Sequence, residues 1–405
     1  MTTSPATALS TTAPPAAPGP NRLKTMNLLQ RVGGWEALVL LGLCLYPFFP
    51  VLDWGLEAVT GQAVRLDRQL VNIFIFGLLA LALNLQVGYA GLLQLGIAAF
   101  FAIGAMTTGV MTVEKYPFQL GFWGALAVAP VMAGLAGLAL GAPTLRLRGD
   151  YLAIVTLGFG EVVRIVLLNL ENITDGPRGL NPLPEPWLPT VAREALGADG
   201  SAMSSGAGEA TLRGMYLISL AILAGTVVVF RLLERSRAGR AFIALREDEL
   251  AAACMGLDPA RIKLFAFAGG AALAGLAGAL YATNLTTTAE PNNYDFNYSI
   301  MVLCCLIIGG LGSLRGAVLG AALLLGFDNV ASPLLTRLLQ TALGGESSHV
   351  MASFSNWRWI VFGTALVLMM RLRPEGLWPS SRVQAEMRTP AELQTPAQLQ
   401  NGAES

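Results

Sequence analysis

Two sets of polar side chains lie inside apolar segments of this sequence, where they can act on a solute or on each other. Glu161 and Arg164 are three residues apart, which places them on one helical face, where their charges can neutralise each other. The second set surrounds the glycines of ALNLQVGYAGLLQLG (82–96) and comprises Asn84, Gln86, Tyr89 and Gln94. Polar groups at membrane depth usually face the bundle interior or a water-filled path. We favour a structural lock for Glu161 and Arg164 over a polar lining. For the second set, a solute path and interhelical hydrogen bonds stay open as alternatives.

A charged segment, RLLERSRAGRAFIALREDELAAACMGLDPARIK (231–263), holds seven of the 26 Lys and Arg residues between two long apolar runs. Its leucines and small residues indicate a short helix that can dock on a soluble protein. That much basic charge in one inter-span loop predicts a cytoplasmic location. The candidate docking residues are Arg246, Glu247, Asp248, Glu249, Ala251, Ala252 and Gly256.

Several other kinds of chemistry are not expected in this chain. None of the three lysines lies in a GxxxxGK[ST] phosphate-binding loop, and His349 is the only histidine. The sequence contains no HExxH motif, paired catalytic carboxylates or nucleophile elbow. We therefore predict a chain with no catalytic residues, metal or cofactor of its own and no nucleic-acid partner. If transport is ATP-driven, the ATPase must be a separate chain.

The elements that must position these residues are membrane helices. The chain is 54% hydrophobic and 13% charged, with a mean hydropathy of +0.57, far from an ordinary globular composition. Apolar runs of about 20 residues recur along it, which predicts an all-α polytopic bundle of about ten spans, with eight or nine as alternatives. The predicted spans are 35–52, 70–88, 91–111, 122–142, 151–170, 214–233, 264–283, 297–311, 315–333 and 356–371.

Charge asymmetry gives the predicted orientation and domain organisation. With ten spans and a cytoplasmic N-terminus, 17 Lys and Arg residues fall on the cytoplasmic side and 7 outside, which also places the C-terminus inside. The predicted membrane domain covers 35–379, and the tails 1–34 and 380–405 are predicted to be disordered. Within that domain, 171–213 is the predicted extracytoplasmic loop and 234–263 the cytoplasmic docking loop.

Four strings resemble the longer permease subunit of branched-chain amino-acid ABC transporters. They are GAPTLRLRGDYLAIVTLGFGEVVRIVLLNLENITDGPRGL (141–180), LREDELAAACMGLDPARIKLFAF (245–267), IIGGLGSLRGAVLGA (307–321) and RLRPEGLWP (371–379). The resemblance implies a multi-pass protein of the bacterial inner membrane, embedded in lipid. It also implies three kinds of partner: a second permease, two cytosolic ATPase subunits and an extracytoplasmic solute-binding protein.

The family pattern for the docking loop is Glu-Ala-Ala-x-x-x-Gly, and this chain departs from it. Ala251, Ala252 and Gly256 fit, but Leu250 occupies the Glu position and Glu249 lies one residue early. Related permeases carry branched-chain or other neutral amino acids, or urea and short amides, so those amides are an alternative substrate. A gradient-driven secondary transporter that uses Glu161 is the alternative from another functional class.

Overall fold

Every regular element in the described part of the chain is a helix. The structure is a computed structural model, and it describes residues 42, 43, 46, 66–117, 119–144, 147, 149–183, 206–288, 290–332, 358–373 and 376–378. The chain divides into residues 1–49 and 50–405, and every element below lies in the second unit. The predicted first span and both predicted tails lie essentially outside the described residues.

The first half of the described chain contains three long helices and several shorter elements. Its helices are α1 (Leu66–Leu83), a π-helix (Asn84–Tyr89), α2 (Ile97–Thr112), α3 (Gly121–Thr144), α4 (Asp150–Asn169), α5 (Glu171–Thr174) and a 3-10 turn (Gly176–Arg178). Because α1 continues directly into the π-helix, the two form one span, Asp67–Tyr89.

The second half follows from residue 206. Its helices are α6 (Gly206–Arg235), α7 (Arg237–Glu247), α8 (Glu249–Cys254), α9 (Pro259–Leu285), a 3-10 turn (Pro291–Asn293), α10 (Phe296–Gly309), α11 (Leu314–Gly326), a second π-helix (Phe327–Ala331) and α12 (Arg358–Leu372). Together, nine of the predicted spans overlap one of these helices or helix pairs. Five described helices are long and apolar enough to cross a membrane: Asp67–Tyr89, Gly121–Thr144, Asp150–Asn169, Thr211–Arg235 and Pro259–Leu285.

The helix bounds differ from the predicted segments in three places. The span predicted over 91–111 begins as a helix only at Ile97, because residues 91–96 are non-helical and Gly91 has a φ of +69°. The loop predicted over 171–213 ends earlier, since α6 begins at Gly206. The docking loop predicted over 234–263 overlaps α6 and α9 and so shrinks to residues 236–258. Polar and charged residues extend these helices beyond their apolar cores.

Helix α9 is the centre of the bundle and packs against α1, α2 and α3. Its neighbours approach closely because small residues face each other. A Cβ on Gly278 would overlap the carbonyl oxygen of Phe101, and one on Gly104 would overlap the backbone of Gly275. Helices in lipid associate through this kind of close packing, since acyl chains already solvate large apolar side chains.

The loops form two clusters at opposite ends of the helices. At one end, which we call the basic end, Gly88, Arg246 and Gly312 are neighbours, and Leu377 N donates to Ile308 O at 2.9 Å. At the opposite end Lys115 pairs with Asp175, while Leu180 N donates to Thr288 Oγ1 at 2.8 Å. The segments that the charge count assigns to one side thus share an end.

Candidate functional site

The short helix α8 at the basic end is fixed by capping signals on both sides. At its N-terminus the Asp248 carboxylate accepts from the backbone N–H groups of Leu250 and Ala251 at 2.8 and 3.0 Å. At its C-terminus Gly256 has a φ of +84°, and Leu257 N donates to Ala252 O, which is a Schellman ending. These caps hold a helix of six residues that has little stability alone.

The exposed surface of α8 is apolar. Leu250 and Met255 are 76% and 84% exposed, and Ala251 lies beside them at the surface. Ala252 is 4% exposed and faces inward, away from that surface. Met255 was not among the predicted docking residues; a bulky apolar residue next to a glycine in a charged loop was the available signal for this exposed side chain.

The acidic docking candidates have different environments. Glu249 is drawn inward, where its Oε1 accepts from Lys263 Nζ at 2.7 Å and ties α8 to the start of α9. Glu247 and Asp248 are exposed, the latter as the α8 cap. A patch formed by Leu250, Ala251 and Met255 is therefore the apolar part of this surface, and we call it the α8 patch.

Arg246 joins the predicted docking residues to the predicted path residues. Its Nη1 donates to Gly88 O at 2.6 Å, across 158 positions in sequence. Gly88 lies in the first π-helix, and the neighbouring Tyr89 hydroxyl donates to Glu234 at the end of α6. The two sets that were predicted separately thus meet at the basic end. This contact joins α7 to the π-helix that ends the first described span.

Asn84 and Gln86 bond to neighbouring helices. The Asn84 side chain accepts from Gly312 N at 3.0 Å and donates to Ser313 O at 3.4 Å, closing the break between α10 and α11. Gln86 Nε2 donates to Phe267 O in α9 at 3.0 Å. These contacts are of the interhelical kind, which was one of the two alternatives for this set.

Gln94 differs from the other three amide and hydroxyl residues. It is 1% exposed, and neither polar atom of its side chain has a hydrogen-bond partner among the described residues. It lies in the non-helical segment 91–96. One backbone group of this segment, Leu95 N, donates to the Thr156 hydroxyl at 3.1 Å. Irregular backbone at membrane depth is tolerated only inside protein or beside water.

Glu161 and Arg164 form an ion pair on α4, with Arg164 Nε 3.0 Å from Glu161 Oε2. Arg164 also reaches another element, since its Nη1 donates to Asn292 Oδ1 at 2.6 Å. The side chains are 22% exposed for Arg164 and 43% for Glu161. The pair therefore ties α4 to the loop before α10.

Next to this pair lies a polar cavity of about 420 Å³. Its wall includes the side chains of Asn72 in α1, the loop residues Asn292 and Asn293, and Asp328 and Asn329 of the second π-helix. π-Helical segments occur frequently at functional sites. The sequence analysis missed this cavity; the available signal was the asparagine- and tyrosine-rich run NNYDFNYS (292–299).

A second cavity of about 150 Å³ lies beside the first and shares Asp295 with it. Its wall includes Glu161, Ser299, Leu95 and Ala98, so it approaches the non-helical segment. Beside it, the buried Tyr294 hydroxyl donates to Thr288 O, and burial raises its pKa well above 10, which keeps it protonated. The predicted path residues Asn84, Gln86, Tyr89 and Gln94 belong to neither of these two linings.

Comparisons with known proteins agree along most of the chain. The sequence model of the family described as "Branched-chain amino acid transport system / permease component" matches residues 65–370. The "High-affinity branched-chain amino acid transport system permease protein LivM" of Escherichia coli (strain K12) is 39% identical over 328 residues, covering 78% of this chain and 70% of that protein. The protein of the same name from Salmonella typhimurium is 38% identical over 329 residues, with the same coverage.

A more distant relative comes from an archaeon. The "Probable branched-chain amino acid transport permease protein LivM" of Methanocaldococcus jannaschii is 22% identical over 339 residues, covering 76% of this chain and 92% of that protein. No solved structure matches.

Proposed function

This chain belongs to the branched-chain amino acid transport permease family, and we propose that it forms part of the translocation path of an ATP-driven importer for these amino acids. The family predicted from the four sequence strings is confirmed. The proposed complex contains a second permease, two cytosolic ATPase subunits and an extracytoplasmic binding protein, in a bacterial inner membrane. ATP binds to the ATPase subunits, and the chain described here is the transport subunit.

The orientation we propose places the basic end in the cytoplasm. Seven Lys and Arg residues lie within 231–263, most of them at this end, and positive charge is retained on the cytoplasmic side of membrane proteins. Segment 290–299 at the opposite end has no basic residue and carries Glu290 and Asp295. Both termini then lie in the cytoplasm if the chain has ten spans.

Coupling to the ATPase is carried in this proposal by the α8 patch and Arg246. The patch offers exposed apolar side chains in a charged surrounding, as expected of a protein contact and not of a lipid-facing loop. The observation that carries the proposal is the Arg246 bond to Gly88 O, because it links the proposed docking surface to a membrane helix. ATPase movement against the patch would therefore shift the π-helix.

The activity is tested with the whole complex reconstituted in proteoliposomes. The lumen represents the cytoplasm, and the binding protein and radiolabelled leucine are added to the outside. We expect leucine uptake that requires ATP in that lumen and is undiminished when ion gradients are collapsed. Uptake driven by an ion gradient without ATP would instead support the secondary-transporter alternative. Uptake of urea in preference to leucine would support the short-amide alternative.

The docking surface is tested with the double variant Leu250→Asp, Met255→Asp. Placing two carboxylates in an apolar contact leaves them desolvated and unpaired, so we expect the ATPase subunits no longer to co-purify. The matched control is Arg240→Ala, a change at an exposed residue of α7 whose guanidinium bonds only to Arg235 O within the described residues. Co-purification of the double variant at the level of the control would refute the docking role of the α8 patch.

Arg246→Ala separates coupling from docking. It removes a charge-assisted hydrogen bond of about 1.5–3 kcal/mol to the Gly88 carbonyl, while the α8 patch stays intact. We therefore expect the ATPase to co-purify but ligand-stimulated hydrolysis to fall about tenfold or more relative to Arg240→Ala. Equal stimulation in both variants would show that the Arg246 contact does not transmit the movement.

A further inference from the structure

We propose that the cavity of about 420 Å³ beside Arg164 is a transient binding site for the zwitterionic amino acid at the outer end of the translocation path. The inference rests on the proposed function and orientation. The volume lies within the range of about 300–1,000 Å³ found for small-molecule sites. We call it the asparagine cavity, after the five amide side chains in its wall: Asn72, Asn292, Asn293, Asn297 and Asn329.

The cavity offers partners for each part of an amino-acid zwitterion. Asp295 and Asp328 in its wall can accept from an ammonium group, and the asparagine amides can donate to a carboxylate. A third part of the wall is apolar and is formed by Phe76, Met301 and Leu325, which suits an aliphatic side chain. This three-part lining distinguishes the site from one for a bare cation, which needs only oxygen ligands.

Charges around the asparagine cavity are held in place by the surrounding structure. Asp295 caps α10, accepting from Tyr298 N at 3.3 Å, and the Asn297 amide donates to its other oxygen. On the far side of Asn292, Arg164 donates to the Asn292 oxygen, which directs that amide. In this proposal Arg164 positions Asn292 in the wall, and neither Arg164 nor Glu161 is part of the lining of the asparagine cavity itself.

The position of the asparagine cavity gives it a route inward. It shares Asp295 with the smaller cavity, whose wall contains Leu95 and Ala98 of the segment that follows Gln94. Neither polar atom of the buried Gln94 side chain has a partner among the described residues. Gln94 can therefore bond to the solute deeper in the bundle. A site on such a route must bind weakly, since tight binding would block release to the cytoplasm.

The test measures radiolabelled leucine binding to the purified complex without binding protein, and leucine uptake with it. Asn293→Leu and Asn329→Leu each remove one amide from the asparagine cavity. The matched control is Asn172→Leu, an exposed asparagine in α5 at the same end of the bundle and outside the cavity. We expect each cavity variant to weaken leucine binding and raise the half-saturating leucine concentration for uptake by about three- to tenfold, as expected for the loss of one hydrogen bond. The control should keep wild-type values.

Two further readouts keep the proposal open to refutation. Met301→Ser changes only the apolar wall, so it should weaken leucine binding more than serine binding. Equal binding and uptake by both asparagine variants and the control, or no saturable leucine binding to the wild-type complex, would overturn the cavity assignment. Failure of the wild-type complex to import leucine at all would instead refute the proposed function.

Discussion

The two ends of the bundle use polar side chains in opposite ways. At the basic end, polar side chains bond to backbone groups of neighbouring segments. Asn84 bonds to the backbone of Gly312 and Ser313, and Arg246 bonds to the backbone of Gly88. At the opposite end, amides and carboxylates surround an open space of about 420 Å³. One set closes breaks in the backbone, and the other faces a cavity.

The difference follows from where the helices are interrupted. A break at Gly88 or Gly312 frees backbone carbonyl and N–H groups that hydrocarbon cannot satisfy, so nearby side chains must pair with them. At the opposite end Asp295 caps α10 and also accepts from the Asn297 amide, so side chains bond to one another there while they line the cavity. Asn84 is therefore a poor indicator of a solute path, because the break at Gly312 engages its hydrogen bonds.

The largest expected effect on stability is that of Gly88→Ala, which disrupts packing at the basic end. The added Cβ would overlap Asn84 Oδ1 and lie 2.8 Å from Gly312 N, forcing apart the hydrogen bonds that close both breaks. Overpacking of this kind costs about 1–3 kcal/mol, and the lost hydrogen bonds add to it. We expect a melting temperature in detergent well below that of the wild type.

The matched control for that variant is Gly225→Ala in α6, where an added Cβ meets nothing within 4 Å. Alanine is the better helix former, so this change should leave stability equal or slightly raised. If Gly88→Ala melts at the same temperature as Gly225→Ala, the basic end is not held by the Asn84 and Gly312 contacts.

A smaller effect is expected at the opposite end from Glu161→Gln. It leaves Arg164 without its carboxylate, at a cost of about 2 kcal/mol, between the values for exposed and buried pairs, because the pair is partly exposed. The double variant Glu161→Gln, Arg164→Gln should recover much of this loss. Thermal stability of the complex in detergent is the measurement, and a double variant as unstable as the two single losses combined would contradict a structural lock.

The smallest effect on stability is expected for Gln94→Leu, between the two ends. Its buried amide has no partner among the described residues, so an apolar side chain of similar size should change stability by less than about 1 kcal/mol. Leucine uptake at equal membrane abundance should nevertheless fall if Gln94 contacts the solute. Uptake equal to the wild type would remove Gln94 from the path, whereas a large loss of stability would show an unrecognised structural role.

Much of the fold could be predicted because it depends on local properties of the chain. Apolar runs located nine helical segments, since crossing hydrocarbon requires length and hydropathy. Boundaries were less accurate where polar residues extend a helix, as at the start of α6, or where glycine interrupts one, as at Gly91. The pairing of Glu161 with Arg164 could also be predicted from the sequence, because residues three apart on a helix lie on the same face.

The candidate sites were only partly predictable. The presence of the short helix α8 could be predicted from local residues, but the sequence did not show that Ala252 and Glu249 turn inward. The asparagine cavity was missed because its wall combines Asn72, the loop at Asn292 and Asp328, which are far apart in sequence. No periodicity or motif brings such residues together.

The sequence by itself determined the membrane class, the family, and the short capped helix between Asp248 and Gly256, because hydropathy, motif and capping are properties of neighbouring residues. Only the tertiary structure decided which polar groups have partners. Asn84 meets Gly312 across 228 positions and Arg246 meets Gly88 across 158. Such pairings depend on how helices pack around small residues such as Gly278, and packing sets whether an amide closes a backbone break or faces a cavity.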